Sequence, residues 1–308
     1  MSFDEASDHL RALCGIVVSD QTIRRACDAV GQKAKAYLEE DAAAVEPVAR
    51  AVGQCECTMD GAKVNTIEGW REIRGVVMAK REAGEARGVR HWKKRKLPDP
   101  SARVVWAGIA DHQAVGQQVK GLAGRLGWGR GRGVSVLGDG IGWIWGQCRE
   151  HLPEHEGCLD LWHVMEHLHA AGRVLQGPGD EARRWAERQR AGLFRYGART
   201  YLLKHLLPQV KAARRDDAAG ESAQALRSLL MYLWKHRGRL GYRDRLRRGL
   251  PIGSGQIEGI CKNTLNRRLR KNNPRWRPER ANHMAALCCL HTSNQWDRFW
   301  DQLTTQAA

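Results

Sequence analysis

The feature that most constrains this chain is a sequence of changes in apolar period, from strand to helix and back, concentrated in its first half. Val64 to Ile67 and Arg74 to Ala79, with Gly75-Val76-Val77-Met78 at the centre, have the β-branched texture of strands. Glu82 to Pro100 is charged and breaks the pattern, which predicts a hairpin loop. Arg103 to Gly108 reads as a third strand, and Ala114 to Leu126 as a helix with Val115, Val119, Leu122 and Leu126 on one face. Gly133 to Leu137 is a continuous apolar run suited to a buried parallel strand. Ile141 to Leu152 reads as a helix, Cys158 to His163 as a short fifth strand, and Val164 to Leu175 as another helix. The first three strands can meander antiparallel. The later two need helical crossovers and so lie parallel to a neighbour. The expectation is an α/β fold: a mixed sheet with helices on both faces.

The flanks differ in texture. Residues 1–50 read as helices, with Ser19-Asp20-Gln21 capping a helix from Thr22 to Gln32. This segment is either a helix-turn-helix, with Arg24 and Arg25 on its second helix, or a dimerisation arm. Residues 51–176 form the first part of the core. Residues 177–250 are helical in pattern and Arg-rich, an all-α insertion. Residues 251–308 complete the core with C-terminal helices that begin after the loop Pro251-Ile252-Gly253-Ser254-Gly255. No apolar run approaches the ~20 residues of a membrane span. The N-terminus lacks the basic and apolar regions of a signal peptide, and the nine cysteines show no paired zinc spacing. A reduced, cytoplasmic protein is expected.

Charge points to partners. Lys and Arg number 51 against 34 Asp and Glu, a formal net charge of +17. Such an excess suits polyanions and counterion release from nucleic acid. Three carboxylates stand where such a partner could meet chemistry. Asp60 precedes Gly61 and Asp139 lies between Gly138 and Gly140, both at expected strand ends; Glu258 falls in the first turn of a helix after the Gly-Ser-Gly loop. Converging carboxylates suit Mg²⁺, which keeps waters and accepts phosphate oxygens. Each also has a plain reading: Asp-Gly is a common turn dipeptide, and Glu258 complements a helix dipole. Asp111 is expected to cap the helix that follows it.

Five ordered segments carry a resemblance. Gly138-Asp139-Gly140-Ile141-Gly142-Trp143-Ile144-Trp145 is followed by Leu159-Asp160-Leu161-Trp162-His163-Val164-Met165-Glu166-His167-Leu168. Later come Gly253-Ser254-Gly255-Gln256-Ile257-Glu258-Gly259, then Arg275-Trp276 and Trp296-Asp297-Arg298-Phe299-Trp300. Together, over roughly residues 50–300, they resemble the ISKra-type insertion-sequence transposases, DDE enzymes related to the Mutator-like group. The strand order agrees with the RNase H-like fold that this resemblance implies, here interrupted by the helical insertion.

The resemblance implies a bacterial DNA transposase that cleaves and joins DNA strands, with Asp60, Asp139 and Glu258 holding Mg²⁺ or Mn²⁺, as two ions. Asp160-Leu161-Trp162-His163 matches a supporting element of the family. His163 then positions a phosphate or the attacking water, or else packs beside Trp162 and hydrogen-bonds a carbonyl. Arg267, Arg268, Arg270, Lys271, Arg275, Trp276 and Arg277 form the densest cationic run and are the expected contacts to DNA. Trp276 could stack on a base or belong to the core, and Trp143 and Trp145 are expected to pack against the sheet. The implied partners are double-stranded DNA, as transposon ends and target, and a second copy of the chain, in a nucleoid-associated assembly. The resemblance implies relatives with more sequence in front, so the short front is read as either a truncated element copy or a mis-assigned start. The alternatives are a DNA-binding remnant without catalysis, and an RNase H-like nuclease that cuts without joining.

Overall fold

The computed structural model describes residues 2–129, 133–259, 265–271 and 273–305, apart from the side chains of Gln256 and Glu258. It is a mixed α/β structure around a five-stranded sheet of order β3-β2-β1-β4-β5. Helices α1 (Phe3–Cys14), α2 (Asp20–Glu40) and α3 (Glu46–Arg50) come first. Strands β1 (Gln54–Thr66), β2 (Gly69–Arg81) and β3 (Ala102–Ile109) follow as an antiparallel meander. Helix α4 (His112–Arg125) leads to β4 (Val134–Gly138), and α5 (Gly142–His151) leads to β5 (Glu156–Leu159). β4 lies parallel to both β1 and β5. The five strands and their two helical crossovers therefore have the predicted order and sense. Every residue of β4 is buried, as its unbroken apolar run requires of a strand covered on both faces.

Two boundaries correct the sequence reading. No turn forms at Gly61: β1 runs through it, with Asp60 opposite Gly75 and Gly61 opposite Arg74, and the hairpin closes only after Thr66. The Asp-Gly signal is local, and a thirteen-residue ladder with Met59 and Val64 buried overrides it. The fifth strand also stops early. Asp160 to His163 is not strand, because Asp160 caps α6 (Leu161–Gln176), which starts three residues sooner than expected. The caps at Ser19 and Asp111 are as predicted, each accepting a backbone N–H at Thr22 and Ala114.

From residue 180 to residue 247 the chain is helical: α7 (Asp180–Tyr196), α8 (Ala198–Tyr201), a π-helical passage through Leu202–Leu206 into α9 (Leu207–Asp216), α10 (Glu221–Lys235) and α11 (Tyr242–Arg247). This helical excursion is anchored to the sheet. Tyr242 donates from its hydroxyl to the Leu159 carbonyl (2.8 Å), and the buried Arg245 guanidinium reaches Glu156 (2.9 Å) and Ser135. Its neck is narrow, since the Leu161 N–H donates to the Ile252 carbonyl (3.0 Å).

The C-terminal part contains α12 (Gly255–Gly259), α13 (Arg267–Leu269), α14 (Pro278–Thr292) and α15 (Trp296–Thr305). α14 packs on β3 and on α2. The α2–α14 crossing is close enough that a Cβ on Gly31 would come 2.7 Å from the His283 carbonyl oxygen, so only glycine fits. Polar ties reinforce it: His283 Nδ1 lies 2.6 Å from Asp28, and the Tyr37 hydroxyl donates to Gln295 (3.1 Å). The second N-terminal helix is thus docked on the body, while Arg24 and Arg25 on it face solvent. No helix among the described residues is long and apolar enough to cross a membrane.

Candidate active site at the ends of β1, β4 and β5

Three aspartates follow the last rungs of the parallel pairing. Thr58 pairs with Leu137, the last β1–β4 rung, and Gly138 with Leu159, the last β4–β5 rung. Asp60 stands two residues past Thr58, and Asp139 and Asp160 each follow directly on Gly138 and Leu159. The Asp160 N–H still donates to the Gly138 carbonyl (2.8 Å). For Asp60 this arises differently from the sequence expectation. β1 does not end at Asp60; its pairing with β4 ends two residues earlier, at Thr58.

Asp139 follows β4 and is partly buried. Its Oδ1 accepts the Ile141 N–H (2.8 Å), and its carbonyl accepts the indole N–H of the buried Trp145 (2.8 Å). Trp145 packs in the core, as predicted for the tryptophans of α5, and also pins the backbone that presents Asp139. Trp143 is only half-buried and lies under the Arg74 guanidinium, 5.3 Å from its ring centre. Burial raises the Asp139 carboxyl above the usual range, and the bond from Ile141 only partly offsets this. Asp60 Oδ1 accepts the N–H of Gly61 (2.7 Å).

Asp160 has a different environment. Its side chain is fully buried. Oδ1 accepts the N–H groups of Trp162 (2.6 Å) and His163 (3.2 Å), capping α6. Oδ2 accepts from both the backbone N–H and the hydroxyl of Ser254, the latter at 2.6 Å. Burial works to raise Asp160, but its partners His163 and Ser254 outweigh that and leave it lowered. Asp160 is therefore a saturated clamp, joining the start of α6 to the loop that starts α12. α12 in turn packs against β1 and β2, with Ile257 fully buried. The backbone of Glu258 lies in α12, while its carboxylate lies outside the described residues.

His163 Nδ1 stands 3.5 Å from Asp160, an ion-pair distance, and that carboxylate raises the imidazole to about 9. At neutral pH the ring is a cation facing Asp139 and Asp160. It suits an anion better than a metal ion, since metal ligation needs the neutral ring. Sequence reasoning missed Tyr232 of α10, which comes from the helical excursion. A Cβ on Gly140 would meet its ring at 2.6 Å, and the His167 ring stacks on it at 3.7 Å. Burial and Asp139 together raise the Tyr232 phenol. No local signal marks this residue.

The cationic run sits farther along β1. The Trp276 N–H donates to the Asn65 carbonyl (3.1 Å) and its carbonyl accepts from Ile67 (2.9 Å), which fixes the run to the hairpin tip. That tip lies six residues beyond Asp60, roughly 20 Å at strand rise. Arg267, Arg270, Lys271, Arg275 and Arg277 are exposed. Arg268 is not: its guanidinium lies over the rings of Phe3 (4.7 Å) and Trp276 (5.4 Å), and burial lowers it. The Trp276 indole N–H is already bonded to the Leu269 carbonyl (2.9 Å), so this ring is a fixed wall rather than a mobile arm.

No family model matches the chain, and no curated protein matches it.

Proposed function

We propose that the chain is a divalent-metal-dependent DNA strand-transfer enzyme of the DDE transposase kind, built on an RNase H-like sheet. The observation that carries this reading is the placement of Asp60 and Asp139 within two residues of the last rungs of the β1–β4 and β4–β5 pairing, with Asp160 tying α12, and so the backbone of Glu258, to the end of β5. The order β3-β2-β1-β4-β5, with β2 alone antiparallel, supports the fold assignment, and the net charge of +17 supports a nucleic-acid substrate.

The donors fit a hard cation. Asp139 has one oxygen committed to a backbone N–H and is otherwise poorly compensated for its burial, a situation that a bound cation relieves. Among the described residues no group of three His, Cys, Asp and Glu side chains could hold a metal ion; the third donor of this reading is Glu258, whose side chain lies outside them. Mg²⁺ or Mn²⁺ held by Asp60, Asp139 and Glu258 would supply Lewis-acid stabilisation of the attacking and leaving oxygens. The protein's own groups do the positioning. Trp145 and the Ile141 N–H fix Asp139, Asp160 fixes α12 and His163, and the His163 cation faces the edge where a phosphate would lie. In the first reaction water displaces the flanking strand at phosphorus, giving a 3′-hydroxyl on the element end and a 5′-phosphate on the flank. In the second, that 3′-hydroxyl attacks a target phosphodiester, forming one P–O bond and releasing a target 3′-hydroxyl. The exposed arginines near the hairpin tip would hold the duplex backbone.

The test is cleavage and joining of labelled duplex carrying the DNA that flanks the gene, with Mg²⁺ or Mn²⁺. Asp60→Ala, Asp139→Ala and Glu258→Ala should each abolish both products while DNA binding persists. Cleavage unchanged in Asp139→Ala and Glu258→Ala overturns the assignment. Cleavage without joined product identifies a nuclease instead.

A further inference from the structure

The cationic run borders a cavity that Asp60, Asp139 and Asp160 do not line. A cavity of about 510 Å³ opens between the N-terminal helices and the C-terminal part. Its apolar side is made by Phe3 of α1, Ile67 at the hairpin tip, Trp276, and Met284 of α14. Its rim carries Arg24 of α2, Arg267 and Lys271 around α13, Arg275 and Arg277 after them, and Arg280 of α14. The one carboxylate lining it, Asp28, is already paired with Arg280 (3.2 Å) and His283 (2.6 Å). No carboxylate among the described residues lies within ion-pair distance of Arg24, Arg267, Arg275 or Arg277. The cavity thus combines a flat aromatic and aliphatic wall with uncompensated arginines around its mouth.

That combination selects a ligand class. An anion alone needs no aromatic wall, and an apolar ligand alone would leave the arginines facing one another. A nucleotide satisfies both, its base against the wall and its phosphates on the rim. The volume lies within the range of small-ligand pockets and is too small for a duplex to enter. The wall is also preorganised: Arg268 is wedged between the Phe3 and Trp276 rings, and Trp276 is held by the Leu269, Asn65 and Ile67 backbone.

We propose that this cavity binds a single unpaired nucleotide of a bound DNA strand, and that Arg24 on α2 makes the N-terminal helices part of that site. The inference rests on the nucleic-acid part of the function proposed above, but not on its chemistry. A base taken out of the stack costs least where it has no partner, so an unpaired nucleotide at a duplex end is the natural occupant.

The experiment compares three labelled hairpin DNAs by fluorescence anisotropy at one fixed salt concentration: blunt, with one unpaired 3′-thymidine, and with an abasic residue in its place. The unpaired thymidine should tighten binding about ten-fold over the blunt form, the scale of one base–aromatic stack, and the abasic residue should lose that gain. Arg24 is exposed and lies on α2, outside the cationic run, so Arg24→Ala should keep the melting temperature. That variant should bring the thymidine form to the blunt value while changing blunt binding less than about two-fold. Equal affinity for all three DNAs, or a uniform loss in the variant, overturns the proposal. Absence of all DNA binding overturns it together with the nucleic-acid reading. Lack of cleavage with the thymidine preference intact overturns only the chemistry.

Discussion

Asp160→Ala separates a clamp from a metal ligand. The side chain is fully buried and receives four hydrogen bonds, from Trp162, His163 and twice from Ser254. Removing it deletes a helix cap, worth about 1 kcal/mol. It also strands the Ser254 N–H and hydroxyl, which is itself 4% exposed, at about 1–3 kcal/mol for each unpaired group. Release from burying a carboxylate returns part of that cost. The expected loss is about 3–5 kcal/mol, with the melting temperature falling by roughly 5–8 °C at about 2.1 cal/mol/K of unfolding entropy per residue. Asp160→Asn keeps the cap but turns an N–H toward Ser254 and should lose about 1–3 kcal/mol. The assay is urea unfolding with and without Mg²⁺, in the absence of DNA. A loss below about 1 kcal/mol for Asp160→Ala, or a full-size loss only when Mg²⁺ is present, refutes the clamp and makes Asp160 a metal ligand instead.

Other expectations follow from the same geometry. Gly140→Ala forces its Cβ against Tyr232 and should cost about 1–3 kcal/mol; thermal unfolding should show most of that cost relieved in the Gly140→Ala, Tyr232→Ala pair, and strict additivity counts against the contact. His236, 1% exposed beside Arg239, is lowered to about 4 from 6.5, chiefly by burial. Its unfolded form takes up a proton first, so stability is full above pH 6.5 and declines toward pH 4, by on the order of 3 kcal/mol. His236→Gln should flatten that stretch of the urea-midpoint profile, and parallel profiles contradict the burial argument. Arg270→Ala and Arg275→Ala should each lower the slope of log affinity against log salt by about 1, measured on blunt duplex; slopes that do not move place those side chains off the phosphate track.

Much of the scaffold was legible locally. The unbroken Val134-Ser135-Val136-Leu137 run announced a covered strand, and Ser19 and Asp111 announced helix starts, because caps and period depend on neighbours a few residues away. The errors came where a local signal met a longer-range one. Asp60-Gly61 has the chemistry of a turn, yet the cross-strand partners Gly75 and Arg74 held both residues in the ladder. Asp160 sits at the end of an apolar run and reads as strand, yet its carboxylate serves α6 and a loop that returns from the far side of the helical excursion. The Tyr232–Gly140 contact and the Arg24 side of the cavity join segments far apart in sequence, and period and composition carry no trace of such meetings.

The neck between Leu161 and Ile252 has a consequence for how such a chain can change. The excursion leaves the sheet and returns within one hydrogen bond of its departure point, and Asp160 with Ser254 stitches the same seam. Closing a loop costs free energy that grows only with the logarithm of its length, about 0.6 kcal/mol for each doubling. Helices can therefore be added to or trimmed from the outer turns of this excursion without shifting the ends of β4 and β5. The seam behaves as a fixed hem, and the cloth beyond it can be recut.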